Sequence, residues 1–254
     1  MSKTPASPTY VCDVIVIHKT KLSESDLILD LLSKDGEVIR AVAKSARKPG
    51  NTFSNRLDLF NVAHVCIART KNLHIIREAK LIKNFASLRA DFKQLSCVSL
   101  VCELLWRLSF HGEVSHVMFE FVSKTLEFID AYPDYSREIA ITAAFKLMSI
   151  EGFKPQLVVC SHCGEEVLSS SNYVDFSCRE GGIICPDCAL QANSFDVSVK
   201  GVNTLLWLIS STYEEVLEDI ERAHGSIFEL SKVLKWWVRY YVGHDLKSLQ
   251  LAVH

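Results

Sequence analysis

The chain has 254 residues, of which 48% are hydrophobic and 23% are charged, and its formal net charge is −2 at pH 7. A chain of this length and composition can bury a sizeable core and is expected to divide into two domains. No apolar run approaches the length of a membrane span, which argues against a membrane protein. The first apolar run, residues 14–17, is too short for a signal peptide, so we expect a cytoplasmic protein with reduced cysteines.

The first 83 residues have the composition of β-strands. Asp35-Gly36 and Lys71-Asn72 each separate two apolar segments, and the first of these dipeptides is a strong signal for a tight hairpin. Five strands in so short a stretch predict a small closed barrel, assigned to a domain of residues 1–83. The predicted strands are residues 11–17, 27–32, 37–43, 59–70 and 73–83.

The remaining residues, 84–254, have the pattern of a helical domain, because apolar residues recur every three or four positions. The most apolar segment contains Glu103 and Arg107, so it is predicted to be a buried helix. Gly243 follows the last periodic segment and is expected to end that helix. The predicted helices are residues 94–110, 117–129, 139–150, 203–211 and 226–242. The fold class is therefore α+β.

Two Cys-x-x-Cys pairs, Cys160/Cys163 and Cys185/Cys188, are separated by 21 residues. This spacing is typical of four thiolates that bind one tetrahedral metal ion. Four sulfur ligands favour zinc, with iron second. They also fill the coordination shell, so the predicted role of the metal is structural and not catalytic. We place this zinc module in an insert at about residues 156–195 of the helical domain.

Disulfides and a catalytic deaminase site are two other uses of paired cysteines. Disulfides would need an oxidising compartment, whereas we expect a cytoplasmic protein, so disulfides are not predicted. Zinc deaminases have a proline directly before the first cysteine of the pair, whereas here Pro186 follows Cys185, so the chain does not match their signature. Cys178 and His162 lie close enough in sequence to replace a ligand, and that alternative stays open.

The sequence contains none of the common enzyme motifs that would indicate a catalytic site. It has no phosphate-binding Gly-x-x-x-x-Gly-Lys loop, no Gly-x-Ser-x-Gly elbow and no His-Glu-x-x-His helix. The chain is therefore predicted not to be an enzyme.

Positive charge is concentrated in residues 40–83, which contain ten Lys or Arg and two acidic residues. This window has a charge of +8, so the remainder of the chain carries −10. Such asymmetry indicates a polyanionic partner, although an ordinary solvated face would have the same composition. The predicted nucleic-acid contacts are Lys44, Arg47, Lys48, Arg56, Arg69 and Lys71.

Three of these cations end the third predicted strand, and residues 49–56 then form a basic loop that we expect to be flexible. A basic strand edge that leads into such a loop is typical of small barrels that bind single-stranded nucleic acid. The cations would hold phosphates. Phe53 would either stack on a base or anchor the loop.

Several short motifs also occur in a fixed order. They are Val-Ile-His-Lys-Thr at 16–20 with Ser-Glu-Ser at 23–25, Ala-Lys-Ser-Ala-Arg-Lys at 43–48, Cys-Ser-His-Cys-Gly at 160–164, Gly-Gly-Ile-Ile-Cys at 181–185 and Leu-Lys-Ser-Leu at 246–249. Together with a basic barrel, a helical body and an inserted four-cysteine knuckle, this order resembles the RecO family of bacterial recombination and repair proteins. The resemblance covers nearly the full length of the chain.

The resemblance implies an N-terminal OB-fold and a non-enzymatic mediator of DNA transactions. Such proteins bind single- and double-stranded DNA, anneal complementary strands, and work with RecR to help RecA replace the single-strand-binding protein SSB. It also implies a nucleoid-associated location and a pocket for the acidic SSB C-terminal tail, with apolar walls and a cation, in the helical domain.

The resemblance assigns the family's basic strand and loop to Lys44, Arg47, Lys48 and Arg56, and its metal ligands to the four paired cysteines. Two departures exist. Ser45 stands where the family usually has glycine, and Cys178 lies in a loop where the family has no ligand.

Three alternative functions stay open. An iron-cysteine electron carrier would be coloured, and a zinc-ribbon transcription or RNA-binding factor would prefer other nucleic acids. A scaffold protein would use the helical face, where four aromatic residues of the last predicted helix suit a protein interface or a core: Trp236, Trp237, Tyr240 and Tyr241.

Overall fold

The structure, a computed structural model, describes residues 8–48, 50–71, 73–110, 114–167 and 172–253. It is an α+β protein with a five-stranded barrel followed in the chain by helices, as the sequence predicts. By backbone contacts, the first compact unit contains the described residues up to Leu95 together with Cys102–Asp130. The second contains Ser96–Val101 and the described residues from Ala131 onward.

The barrel has the strand order β1-β2-β3-β5-β4 and closes between β4 and β1, which is the OB-fold arrangement. All neighbouring strands are antiparallel except β3 and β5, which pair in parallel through Ala41↔His74 and Val42↔Ile75. The strands are β1 Thr9–Lys21, β2 Leu27–Ser33, β3 Val38–Ala43, β4 Val62–Ala68 and β5 His74–Lys83.

Alternate residues of these strands fill the barrel. Successive side chains of a strand point to opposite faces, so Val14 and Val16 of β1 share one face, and both are fully buried. A shift of register between Val16 and His18 lets the long β1 bend, so it pairs with β4 over its first half and with β2 over its second. The rest of this core is Leu29, Leu31, Ile39, Ala41, Ala43, Ala46, Leu57, Ala63, Val65, Ile67, Ile76 and Ala79.

All five strand predictions are confirmed, with β1 beginning two residues earlier and ending four residues later than predicted. The predicted Asp35-Gly36 turn joins β2 to β3, and Gly36 has φ +86°, a conformation that glycine adopts without strain. The second predicted turn includes Asn72, which lies outside the described residues, but the β4–β5 pairing that it implies is present.

The helices also agree with the sequence where the apolar period is long. Asp91 caps α3 by accepting a hydrogen bond from the Gln94 amide, and Gly243 ends α10 with φ +77°. The helices are α1 Thr52–Arg56, α2 Ala86–Ala90, α3 Phe92–Ser109, α4 Met118–Ala131, α5 Ser136–Ile150, α6 Pro186–Ala189, α7 Val199–Ser210, α8 Tyr213–Glu218, α9 Ile220–His224, α10 Ile227–Val242 and α11 Lys247–Val253. Within the described ranges, no helix is long and apolar enough to cross a membrane.

The segment that contains the paired cysteines adds a small antiparallel sheet that the sequence did not reveal. Its strand order is β7-β6-β8, and β8 leads directly into α7. The strands are β6 Tyr173–Ser177, β7 Gly182–Ile184 and β8 Phe195–Ser198. They are too short to show a clear alternation, which is why sequence patterns do not detect them.

Candidate nucleic-acid interface and metal centre

A basic turn follows β3 and contains Lys44, Arg47 and Lys48, all exposed. The turn is held to the β1–β2 connection, because the Arg47 amide donates to the Ser25 carbonyl at 3.0 Å and its guanidinium to the Ser23 carbonyl at 2.8 Å. Three of the predicted contacts therefore project from one ordered turn.

Ser45 lies within this turn and has φ +57°, the left-handed conformation that glycine favours. This is the position where the resemblance expects glycine. The Ser45 amide donates to the Asp26 carboxylate at 2.7 Å, which holds the strained residue in place.

The pKa of the Asp26 carboxyl lies below its usual value. The main cause is the hydrogen bond from the Ser45 amide, followed by that from the Ser25 hydroxyl, with smaller contributions from the charges of Lys44 and Lys48. Asp26 is thus the anion that organises the basic turn.

The residues after the turn form a short helix, α1, where the sequence predicted a flexible loop. The Asn51 side chain caps it by accepting a hydrogen bond from the Phe53 amide at 2.7 Å. The Arg56 guanidinium donates to the Ala79 carbonyl of β5 at 2.9 Å, which ties the helix to the barrel. Pro49, part of the predicted loop, lies outside the described residues.

Phe53 stands between two cavities of the barrel surface and contributes to both. The first, of about 370 Å³, has apolar walls and two cations, and its lining is Lys19, Leu27, Leu29, Ala46, Arg47, Phe53 and Leu57. The second, of about 520 Å³, is more polar and is lined by Val11, Thr52, Phe53, Arg56, His64, Cys66, Arg77, Glu78, Ala79 and Lys80. Phe53 also packs partly against the barrel core, so both roles predicted for it, anchor and stacking platform, are compatible with its position.

Arg69 and Lys71 lie elsewhere, in the connection between β4 and β5. Because β3 and β5 are parallel with Ala41 beside His74, the connection that contains Lys71 enters β5 beside Ala41, whereas Lys44 follows the end of β3. Arg69 covers the Tyr10 ring at 4.7 Å from its centroid. Arg69 and Lys71 thus belong to a different connection from the basic turn, and their contact with nucleic acid stays a prediction.

Ion pairs neutralise part of the basic window but spare the predicted contacts. Arg40 lies 3.5 Å from Asp30, and Lys83 lies 2.8 Å from Glu127. Among the residues that the structure describes, none of the six predicted contacts forms an ion pair. Their positive charge therefore remains available to an external anion.

Three cations around Phe53 were not assigned to the site from the sequence: Lys19, Arg77 and Lys80. Lys19 is on β1, outside residues 40–83 in the sequence, and its ammonium group lies 2.8 Å from the Asp58 carboxylate. Arg77 and Lys80 are within the window, and continuing the β3–β5 register places Arg77 level with Lys44. Only the parallel pairing reveals this proximity, so no sequence signal could have identified it.

The four paired cysteines converge on one point, as their spacing predicts. The sulfur atoms of Cys160, Cys163, Cys185 and Cys188 all lie within 4.8 Å of one another, and Cys163 Sγ is 3.8 Å from Cys185 Sγ. A regular tetrahedron with metal–sulfur bonds of 2.3 Å has edges of about 3.8 Å. The donor set therefore fits a single tetrahedral metal ion.

The backbone around Cys160 favours its ionised form. Burial opposes ionisation, but the backbone N–H groups of Cys163, Cys185 and His162 point towards the sulfur, and the pKa of Cys160 is lowered to about 6. In contrast, the pKa of Cys188 is raised, first by its hydrogen bond with Cys185. Four thiolates this close together repel one another unless a cation lies among them.

Gly182 allows the two halves of this centre to meet. Its backbone lies beside that of Gln156, with which it forms a bridge, and the Ile183 amide donates to the Gln156 carbonyl at 3.0 Å. A Cβ atom on Gly182 would lie 2.0 Å from the Gln156 oxygen. Only glycine fits here, which gives a physical reason for the Gly-Gly pair before Ile183.

The two substitute ligands considered from the sequence lie outside this group of sulfurs. The Nδ1 atom of His162 is 2.9 Å from the Glu180 carboxylate. The Cys178 carbonyl accepts a hydrogen bond from the Tyr241 hydroxyl, and burial raises the pKa of the Cys178 thiol to about 11.

Comparison with known proteins identifies the family. The family described as "Recombination protein O N terminal" matches residues 8–85, and "Recombination protein O C terminal" matches residues 89–250. The chain belongs to the RecO family. The resemblance seen in the sequence is thereby confirmed.

Relatives with similar lengths carry the same name. The "DNA repair protein RecO" of Dehalococcoides mccartyi strain 195 is 32% identical over 92% of this chain and 91% of its own length. That of Caldanaerobacter subterraneus subsp. tengcongensis is 28% identical over 95% of this chain and 96% of its own. That of Bifidobacterium adolescentis is 27% identical over 96% of this chain and 99% of its own.

Proposed function

We propose that this RecO-family protein is a non-enzymatic mediator of DNA repair that binds single- and double-stranded DNA on its barrel and anneals complementary strands. The main support is the ordered basic turn beside Phe53. Lys44, Arg47 and Lys48 project from it, Arg56 follows on α1, and none of them forms an ion pair with a described residue. Cationic grooves with aromatic platforms bind single strands in this way.

Annealing needs only electrostatics. Two complementary strands repel each other, and a cationic surface that neutralises several phosphates on each strand lowers this repulsion without making or breaking a bond. The two cavities beside Phe53 carry cations from five positions: Lys19, Arg47, Arg56, Arg77 and Lys80. They offer phosphates and an unstacked base neighbouring places to bind.

The partners proposed for this function are RecR, the SSB C-terminal tail and, indirectly, RecA. Two cavities of the second unit, of about 660 and 240 Å³, share Val199 and Asn203. The larger contains Lys200 and Arg222, and the smaller has mainly apolar walls. Cations beside an apolar cavity suit an acidic peptide that ends in hydrophobic residues, which supports this region as the site of the SSB tail.

The metal in the cysteine centre is proposed to be structural zinc. Four protein sulfurs leave no coordination position for a substrate or water, so the ion would stabilise the module without catalysing a reaction. Cys160, Cys163, Cys185 and Cys188 would hold it. The iron alternative predicts a coloured protein, and measured metal content with an absorption spectrum separates the two.

The test is a strand-annealing assay across a salt series, with and without SSB. Annealing of naked strands should be fastest at low salt and fall steeply as salt rises, because phosphate contacts release counterions. With SSB-coated strands, annealing should persist in the parent and decrease in Lys200→Glu. Absence of annealing at every salt concentration would contradict the proposed function and favour a scaffold role.

A further inference from the structure

Helix α10 of the second unit has an exposed face that the proposed function does not use. The buried side is apolar and includes Leu230, Leu234, Trp237 and Val238. The opposite side alternates aromatic and cationic residues at helical spacing, and all six are exposed: Phe228, Lys232, Lys235, Trp236, Arg239 and Tyr240. We call these six residues the α10 face.

The aromatic side chains of the α10 face are unusually exposed to solvent for their size. Phe228 is 58% exposed, Trp236 49% and Tyr240 52%. Their neighbour Trp237 is 1% exposed and donates its indole N–H to the Phe153 carbonyl. The Trp236 indole has no hydrogen bond or ring contact with any described residue. Packing thus accounts for Trp237 but gives no reason for Trp236.

The charge of the α10 face is positive although its surroundings are acidic. Residues 131–254 contain ten Lys or Arg and 16 Asp or Glu, yet three of those cations are on this face. The acid of the first turn, Glu229, is engaged by Ser198, whose amide and hydroxyl donate to it at 2.7 and 2.6 Å. Arg239 lies 3.8 Å from Asp245, whereas Lys232 and Lys235 form no ion pair within the described part of the chain.

We propose that the α10 face is a second binding surface for single-stranded nucleic acid, additional to the barrel. Lys232, Lys235 and Arg239 contact phosphates, while unpaired bases stack on Trp236 and Tyr240. A purely apolar protein partner would leave Lys232 and Lys235 without counterions, whereas a single strand satisfies both components of the face at once.

The dimensions of the α10 face suit a short segment of strand. At 1.5 Å of rise per residue, Lys232 and Arg239 are about 10 Å apart along the helix axis, and Trp236 and Tyr240 about 6 Å. A stacked strand advances about 3.4 Å per nucleotide, so the face spans on the order of three nucleotides. A double helix would hide its base faces from these rings, so single strands are the preferred ligand.

The decisive experiment maps photochemical cross-links between the full-length protein and an oligonucleotide of 5-iodouracil. Adducts are expected on the peptide that contains Trp236 and Tyr240, in addition to barrel peptides. The variant Lys232→Glu/Lys235→Glu should reduce the α10 adduct at least fivefold, and Trp236→Ala/Tyr240→Ala should abolish it. All four side chains are exposed, so zinc content and helical circular dichroism should match the parent in both variants.

Two controls separate this inference from the proposed function. Lys34→Glu reverses one exposed charge outside both surfaces and should leave the α10 adduct unchanged. Lys44→Glu/Arg47→Glu should remove barrel adducts but keep the α10 adduct. The inference is wrong if the parent binds the oligonucleotide but gives no α10 adduct. It is also wrong if the α10 adduct of Lys232→Glu/Lys235→Glu is as abundant as that of the parent. Both outcomes are independent of the barrel adducts.

Discussion

The basic turn and the cysteine centre contrast in how they use charged groups. Lys44, Arg47 and Lys48 are exposed and contribute little to the barrel core, which is built from alternate apolar residues of the strands. The four cysteines bring negative charge together at one point, so their segment depends on a cation for stability. The basic turn can therefore lose its positive charges while the barrel stays folded, whereas the cysteine segment cannot lose its metal ion and stay folded.

The largest effect should come from Cys160→Ser/Cys163→Ser. Removing two ligands forfeits metal binding, which contributes on the order of 10 kcal/mol in structural zinc sites. Zinc content should fall below stoichiometric, and amide hydrogen exchange should accelerate in β6 to β8, while the intrinsic DNA contacts of the barrel remain. A variant that melts like the parent and still binds one zinc per chain would remove the distinction between the two regions.

Gly182→Ala should be the next most damaging change. Its Cβ would meet the backbone oxygen of Gln156 at 2.0 Å, so β7 must move and the cysteine pairs with it. A loss of roughly 2–4 kcal/mol in unfolding free energy is expected, as for other overpacked sites. Gly152→Ala is the matched control: it also has positive φ but has no neighbour within 4 Å, so only backbone strain of about 1–2 kcal/mol applies.

In the barrel, Lys44→Glu/Arg47→Glu should weaken single-strand binding more than tenfold at low salt while the barrel stays folded. The reason is that two phosphate contacts become repulsive. Lys34→Glu is the control, because Lys34 is also exposed but precedes β3, whereas Lys44 follows it. Equal affinity of the double variant and the control would show that the basic turn is an ordinary solvated surface.

Phe53→Leu should reduce single-strand affinity by a factor of about 5 to 100, the range expected for loss of stacking on one base. Leucine keeps most of the apolar contact with the barrel core, so stability should change by less than about 1.5 kcal/mol. Phe53→Trp should retain binding. If the Phe53→Leu and Phe53→Trp variants bind single strands with equal affinity, Phe53 serves only to anchor the helix to the barrel.

The smallest effect concerns pH. The pKa of Asp26 is depressed in the folded state, so the carboxylate stabilises the turn above its unfolded pKa of about 3.9, and this stabilisation is lost as pH falls through the lower folded value. Nuclear magnetic resonance should show Asp26 titrating below an ordinary aspartate. In Asp26→Asn the shift of the Ser45 amide should no longer depend on pH, and a normal Asp26 titration in the parent would contradict the turn's geometry.

Much of the fold was predictable because its signals are local. Alternation revealed the five strands, a period of three to four residues revealed the long helices, and cysteine spacing revealed the four-sulfur centre. The short helices α1, α2, α6, α8, α9 and α11 and the sheet β6 to β8 were not predicted, since tertiary contacts and caps such as Asn51 and Thr212 form such elements. The basic turn was found from its charge.

The spatial arrangement of the barrel cations was not predictable in the same way. Lys19 joins Arg47 in one cavity, and Arg77 joins Arg56 in another, through strand pairing between distant parts of the chain. Lys71 precedes β5, whose pairing with β3 begins beside Ala41, three residues before Lys44. Charge counting treats these residues as equivalent, whereas the parallel pairing of β3 with β5 distinguishes them.

The account depends most on the basic turn binding phosphates, and the salt dependence of single-strand affinity measures this directly. Neutralising Lys44, Arg47 and Lys48 together with glutamine should reduce the slope of log affinity against log salt by about 2, at about 0.7 for each lost contact. Neutralising Lys34 should leave the slope unchanged. A triple variant with the parent's slope would contradict the account, because the turn would then touch no phosphate.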